Sequence, residues 1–133
     1  SPPGWAAQIV ANLQAPVVGL ASVGGLVAAA TPADNAVVLL DPADGRVVRR
    51  IEIPGWSSGE QQEGYLAVLP SGELAASAPQ PGEIWAIDPS GGAAPRLLRG
   101  GLPGVTGLAM RPDSTLLASL TWEHRLVRVP LEE

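Results

Sequence analysis

Short runs of apolar residues alternate with clusters of Gly, Pro, Asp, Asn and Ser along the chain, and the runs recur in a fixed order. Gly24-Gly25-Leu26-Val27-Ala28 followed by Val37-Val38-Leu39-Leu40-Asp41-Pro42 is matched by Gly72-Glu73-Leu74-Ala75-Ala76 followed by Ile84-Trp85-Ala86-Ile87-Asp88-Pro89. A weaker third copy reads Ser114-Thr115-Leu116-Leu117-Ala118, then Leu126-Val127-Arg128-Val129-Pro130. Asp41 and Asp88 are 47 residues apart, Gly72 and Ser114 are 42 apart, and a period of roughly 40 to 50 residues built of short strands is that of propeller blades.

The runs at 26–30, 37–40 and 116–120 are nearly continuous in apolar residues, which predicts short strands covered on both faces. Helix is disfavoured. Gly or Pro interrupts nearly every window before three turns could form, at about 1 kcal/mol for each Gly and about 3 for each Pro inside a helix. Asp44-Gly45, Ser71-Gly72 and Ser90-Gly91-Gly92 separate apolar runs and predict hairpin turns, where glycine supplies the positive φ.

The expected strands are 5–13; then 17–22, 26–30, 36–41 and 46–53; then 64–69, 73–77, 83–88 and 95–99; then 105–110, 115–120 and 124–129. They group as one, four, four and three. Residues 6–13 resemble residues 46–53, the outermost strand of a blade, and the last blade ends one strand short. The two leftovers are complementary, as in propellers that pair one terminus with the other.

The run Leu-Leu-Asp-Pro-x-Asp-Gly at 39–45 and Ile-Asp-Pro-Ser-Gly-Gly at 87–92 give essentially the whole chain a resemblance to the NHL-type and related six-bladed β-propellers of bacteria. That resemblance implies six blades, whereas the chain supplies material for three. Propellers run from about four to eight blades, so three cannot close a ring and two copies can. A half ring would expose two apolar blade faces, and twofold association buries both. The expected fold is therefore all-β, with blades of four antiparallel strands, three per chain, in a homodimeric six-bladed ring. Residues 1–4 read as a linker, with blades at about 15–54, 64–100 and 105–130. Strand 5–13 would complete the partner's last blade, a strand exchange that leaves no unpaired sheet edge between the chains. The competing architectures are a fragment of a longer propeller and a collapse into a β-sandwich.

Composition narrows the partners. The 133 residues are 46% hydrophobic and 16% charged, with 16 Gly and 14 Pro, which excludes an acidic disordered tail. The net charge is −5 and the eight basic residues are scattered arginines, so no basic stripe exists for nucleic acid. Cysteine is absent, which removes disulfides and thiolate metal sites and leaves the redox compartment unread. No apolar run reaches the ~18 residues of a membrane span, so direct membrane insertion is not expected. Ser1-Pro2-Pro3-Gly4 reads as a boundary, consistent with a piece of something larger. These residues carry no compartment signal, and an extracytoplasmic domain is the default.

In propellers the loops leading into each blade, and those joining its second and third strands, crowd one end of the channel. Here they carry Asp34 and Asn35, residues 54–63, residues 78–81 and 100–104, and Thr121-Trp122-Glu123-His124. The longest is polar and includes Trp56, Glu60 and Gln61, the pattern of a contact loop. Trp56 and Trp122 offer flat apolar faces to a sugar or a peptide side chain, or else plug gaps between blades. Trp5 and Trp85 fall within strands and read as packing. His124, the single histidine, stands beside Glu123 and either titrates near neutrality or is held by hydrogen bonds. A catalytic zinc needs three protein ligands, more than one histidine supplies, and Asp34, Glu60 and Glu63 fit no calcium loop. Metal and cofactor are not expected. Asp41 and Asp88 precede matching prolines, where a carboxylate pins the turn through amides two residues on. Neither a nucleophile elbow nor a phosphate loop is present.

The resulting expectation is a non-catalytic binding and assembly module whose candidate contact residues are Asp34, Asn35, Trp56, Glu60, Gln61, Trp122 and His124. Its partners are a second copy of itself and a protein or carbohydrate ligand. The alternatives are the soluble propeller domain of a larger enzyme, such as a membrane glycosyltransferase, an enzyme like the propeller lyases and lactonases, and a protein made to test blade assembly.

Overall fold

The structure, a computed structural model, describes residues 6–56 and 63–131. The described residues hold eleven strands and no α-helix. The first sheet has β1 (Gly19–Val23), β2 (Leu26–Thr31), β3 (Ala36–Leu40) and β4 (Val47–Glu52). The second has β5 (Leu66–Val68), β6 (Leu74–Ala78), β7 (Glu83–Ile87) and β8 (Arg96–Arg99). The third has β9 (Val105–Met110), β10 (Leu116–Leu120) and β11 (Arg125–Val129). Every pairing is antiparallel between sequence neighbours, and each strand after the first 13 residues begins and ends within two residues of expectation.

Local chemistry explains the turns. Val23 pairs with Leu26 across Gly24-Gly25, and both glycines have positive φ (55° and 78°), as a two-residue I′ hairpin needs. Asp41 Oδ1 accepts the Ala43 amide at 2.9 Å, and Asp88 Oδ1 accepts the Ser90 amide at 2.9 Å, so both aspartates pin the turn two residues on, as expected.

The sheets stack face to face. β1 lies against β5, and β9 against β5 and β6, so the first strands of the three sheets converge. At this junction an added Cβ on Gly19 would sit 3.2 Å from the Tyr65 Cα and 3.3 Å from the Gly64 carbonyl oxygen, so the backbones approach closely. The core is two slabs between sheets. Ala28, Ala30, Val37, Leu39 and Ile51 of the first sheet meet Leu66, Leu74, Ala76 and Ile87 of the second. Ala75, Ile84 and Ala86 of the second meet Val105, Leu116, Ala118 and Val129 of the third.

The segment expected to pair with a partner copy, residues 5–13, joins no ladder among the described residues of the single chain. Only two of its apolar side chains are even half-covered. Ala11 and Leu13 rest on Ala29, Val38 and Leu40, the face of the first sheet turned away from the second. Trp5 lies outside the described residues.

Candidate functional site

One turn design recurs between the second and third strands of each sheet. In the first and third sheets it is a 3₁₀ turn, Pro32–Asp34 and Thr121–Glu123, closed by Asn35 and His124 in the left-handed region (φ 54° and 56°). In the second sheet Gly82 (φ 72°) takes that place. The Asn35 amide donates to the Pro32 carbonyl at 2.9 Å, the Gly82 amide to Ala78 at 2.9 Å, and the His124 amide to Thr121 at 3.3 Å. His124 therefore occupies a position with a backbone requirement, which Asn and Gly meet with the least strain.

These turns are tied to the loops that lead into the next sheet. The Ile53 amide donates to the Asn35 carbonyl at 2.8 Å, and Arg50 donates from Nη2 to the Asp34 carbonyl at 3.3 Å. Between the second and third sheets Gly104 is the joint: its amide donates to the Pro79 carbonyl at 3.1 Å, and its carbonyl accepts the Thr121 amide at 3.0 Å. The indole of Trp122 lies on Gly104, where an added Cβ would stand 2.7 Å from Cγ and Cδ2. Trp122 remains 47% exposed, so half of the indole faces out. The loop-rich end thus presents Trp122 and His124 from one turn and Asp34 from another, with Asn35 partly covered. Glu123 lies 3.6 Å from the Arg125 guanidinium.

Trp56 is different, and here the contact reading is corrected. Its side chain is fully buried, its Nε1 donates to the Ser77 carbonyl at 2.8 Å, and its ring covers Gly64 so closely that an added Cβ there would fall 2.5 Å from Cζ2. Trp56 plugs the seam between the first two sheets. Glu60 and Gln61 lie outside the described residues. Trp85 packs against the same core and donates from Nε1 to Glu83 at 3.2 Å. Among the described residues no three His, Cys, Asp or Glu side chains cluster as metal ligands would.

A polar chain the sequence reading missed crosses the seams near the first strands. Ser77 accepts the Tyr65 amide at 3.1 Å and donates to the Thr106 carbonyl at 2.6 Å. Ser119 accepts the Gly107 amide at 2.9 Å and shares a hydrogen bond with the Thr106 hydroxyl, which also bonds to that of Thr121. A signal existed: Ser77 and Ser119 hold the same place in Leu-Ala-Ala-Ser and Leu-Leu-Ala-Ser. Arg49 reaches from the first sheet to the second, donating from Nη1 to the Pro89 carbonyl at 2.8 Å, and its side chain lies over Gly91.

Two carboxyls are held below the usual range. For Asp88 the chief cause is the Ser90 hydroxyl, then the Ser90 amide; for Asp113 it is the Thr115 side chain, then the Thr115 amide. Both pin turns, Asp113 exposed and Asp88 half-buried, remote in role from the loop-rich end.

Antiparallel sheets stacked face to face with converging first strands define a β-propeller, of which the chain holds three blades' worth. No family model and no curated protein matches the chain. Solved structures do. A catalytically inactive variant of virginiamycin B lyase from Staphylococcus aureus, with quinupristin, superposes with a TM-score of 0.73 at 17% identity, over 89% of this chain and 39% of that one. The PQQ-bound aldose sugar dehydrogenase from Streptomyces coelicolor gives 0.68 at 23% identity, over 84% and 39%. The computationally designed Ika4 protein gives 0.50 at 14% identity, over 96% of this chain and all of that one. The chain spans about two fifths of the length of the two natural enzymes. At these identities the likeness concerns the fold.

Proposed function

We propose that the chain is a non-catalytic propeller module that works by binding: two copies close a six-bladed ring of the NHL-like kind, and its loop-rich end meets a protein or a carbohydrate. The observation that carries this reading is the state of the two flanks. The outer face of the first sheet keeps Leu20 66% and Val47 50% exposed, and the third sheet, three strands wide among the described residues, keeps Leu126 70% exposed on β11. Flanks of this kind are what a blade-to-blade contact consumes. In the ring, Trp122 offers a half-open indole and Asp34 and His124 offer polar groups, the mixture that recognises sugars and peptides.

Static light scattering tests the reading. A particle of twice 13.6 kDa is expected, and a lasting 13.6 kDa particle contradicts it. A second reading is favoured by one observation, the two-fifths span of the lyase and the dehydrogenase: the missing blades belong to the same longer polypeptide, and the chain stays monomeric alone. For the binding end, titration of the protein with soluble oligosaccharides and with peptides should change tryptophan emission in the wild type and not in Trp122→Ala. A stoichiometric divalent ion in the purified protein would instead favour an enzyme like the propeller lyases.

A further inference from the structure

The two faces of the first sheet are built alike but covered differently. The inner face meets a sheet. The outer face, formed by Leu20, Val27, Ala29, Val38 and Leu40, meets residues 8–13 instead. Only Ala11 and Leu13 of that segment join the cluster, while Ile9 stays 80% and Val10 58% exposed. A cleft of about 550 Å³ persists between segment and sheet, bounded by Ile9, Val10, Leu13, Val17, Leu20 and Leu40. The segment covers the face without filling it, and an unfilled apolar contact forgoes much of its dispersion energy.

We infer that residues 8–13 are a displaceable placeholder: in the free chain they occupy the seat of a neighbouring blade, and the third sheet of a second copy drives them out. This rests on the ring reading above. The incoming surface has apolar positions to offer: Ala109, Leu117 and Leu126 share the third sheet's outer face, with Arg128 beside Leu117, through the pairs Leu117 with Ala109, Leu117 with Arg128 and Ser119 with Leu126. The ejected segment also has a destination, the free edge of β11 in the other copy, where its backbone amides and carbonyls gain the ladder they lack in the free chain. Covering the seat and completing the sheet are thus alternative uses of one segment, and ring closure exchanges the first for the second. The chain is thereby shielded before it meets its twin.

Gly45 provides the test. Its φ is 73° and an added Cβ would run into the Val10 carbonyl oxygen, so a side chain there presses on the segment. Gly25 has φ 78° and nothing within 4 Å, so it carries the same backbone demand without the contact. Asn tolerates this backbone region best among non-glycine residues. Sedimentation velocity of full-length Gly45→Asn should show dimerisation tightened by about tenfold, with Gly25→Asn unchanged from wild type. If both variants associate like the wild type, the placeholder fails and the ring stands. If no variant exceeds 13.6 kDa at any concentration, the ring reading fails and the placeholder with it. Hydrogen exchange on the wild-type chain across a dilution series needs no variant: the amides of 8–13 should be protected at high concentration and exchange rapidly on dilution. Equal rates throughout overturn the inference.

Discussion

The first sheet offers a comparison within a single element. On its inner face Ala28, Ala30, Val37 and Leu39 are all fully buried against the second sheet; on its outer face Ala29, Val38 and Leu40 are buried by a segment that leaves Leu20 and Val47 open to water. The residue types are the same on both sides. What differs is the partner: a sheet supplies complementary relief along the whole face, whereas a ladderless segment supplies two side chains and a cleft. Two-sided apolar strands are therefore a demand for two neighbours, and among the described residues only one of them is a sheet.

The largest effect expected is at the inner seam. Trp56→Ala removes a fully buried indole and orphans the Ser77 carbonyl, so urea unfolding should lose about 3–5 kcal/mol. A loss under about 1 kcal/mol would mean the ring is not a seam plug.

The two faces can then be weighed against each other. Leu39→Ala, on the inner face, should cost about 3 kcal/mol, and Leu40→Ala, beside the open cleft, about 1 to 2 in the monomer. Equal losses would break the comparison. In the dimer the Leu40→Ala cost should rise, because a blade then packs against it.

Smaller differences sharpen the same contrast. Ser77→Ala leaves the half-buried Tyr65 amide without its acceptor at the covered seam, for about 1–2 kcal/mol. Ser119→Ala, in the outer sheet where water replaces the hydroxyl, should cost less. The smallest effect concerns pH. The folded pKa values of Asp88 and Asp113 are lowered by Ser90 and Thr115, so their contribution is present above the ordinary carboxylate pKa of about 4 and fades as pH falls through the folded values. Asp88→Asn and Asp113→Asn should flatten the acid limb of stability and leave stability below about pH 4 less pH-dependent; an unchanged slope would contradict the turn-pin account.

Strand positions were legible because each blade repeats the same covered strands and positive-φ turns, down to Asp41 and Asp88 pinning amides two residues on. Trp56 stayed open between contact and plug because its local company is polar, while the groups that bury it, Gly64 and the Ser77 carbonyl, lie eight and 21 positions away in sequence. His124 drew attention as a lone titratable group, yet its place follows from the left-handed turn it shares with Asn35 and Gly82, visible only once the three turns are aligned. Residues 6–13 carry a strand's pattern, but pattern specifies which faces want covering and not which edge supplies the ladder.

Small-angle X-ray scattering tests the central claim, that the chain is half of a ring closed by a twin, in both mass and shape. The account expects a particle of twice 13.6 kDa with a radius of gyration of about 18 Å. A concentration-independent particle of 13.6 kDa near 14 Å would contradict it.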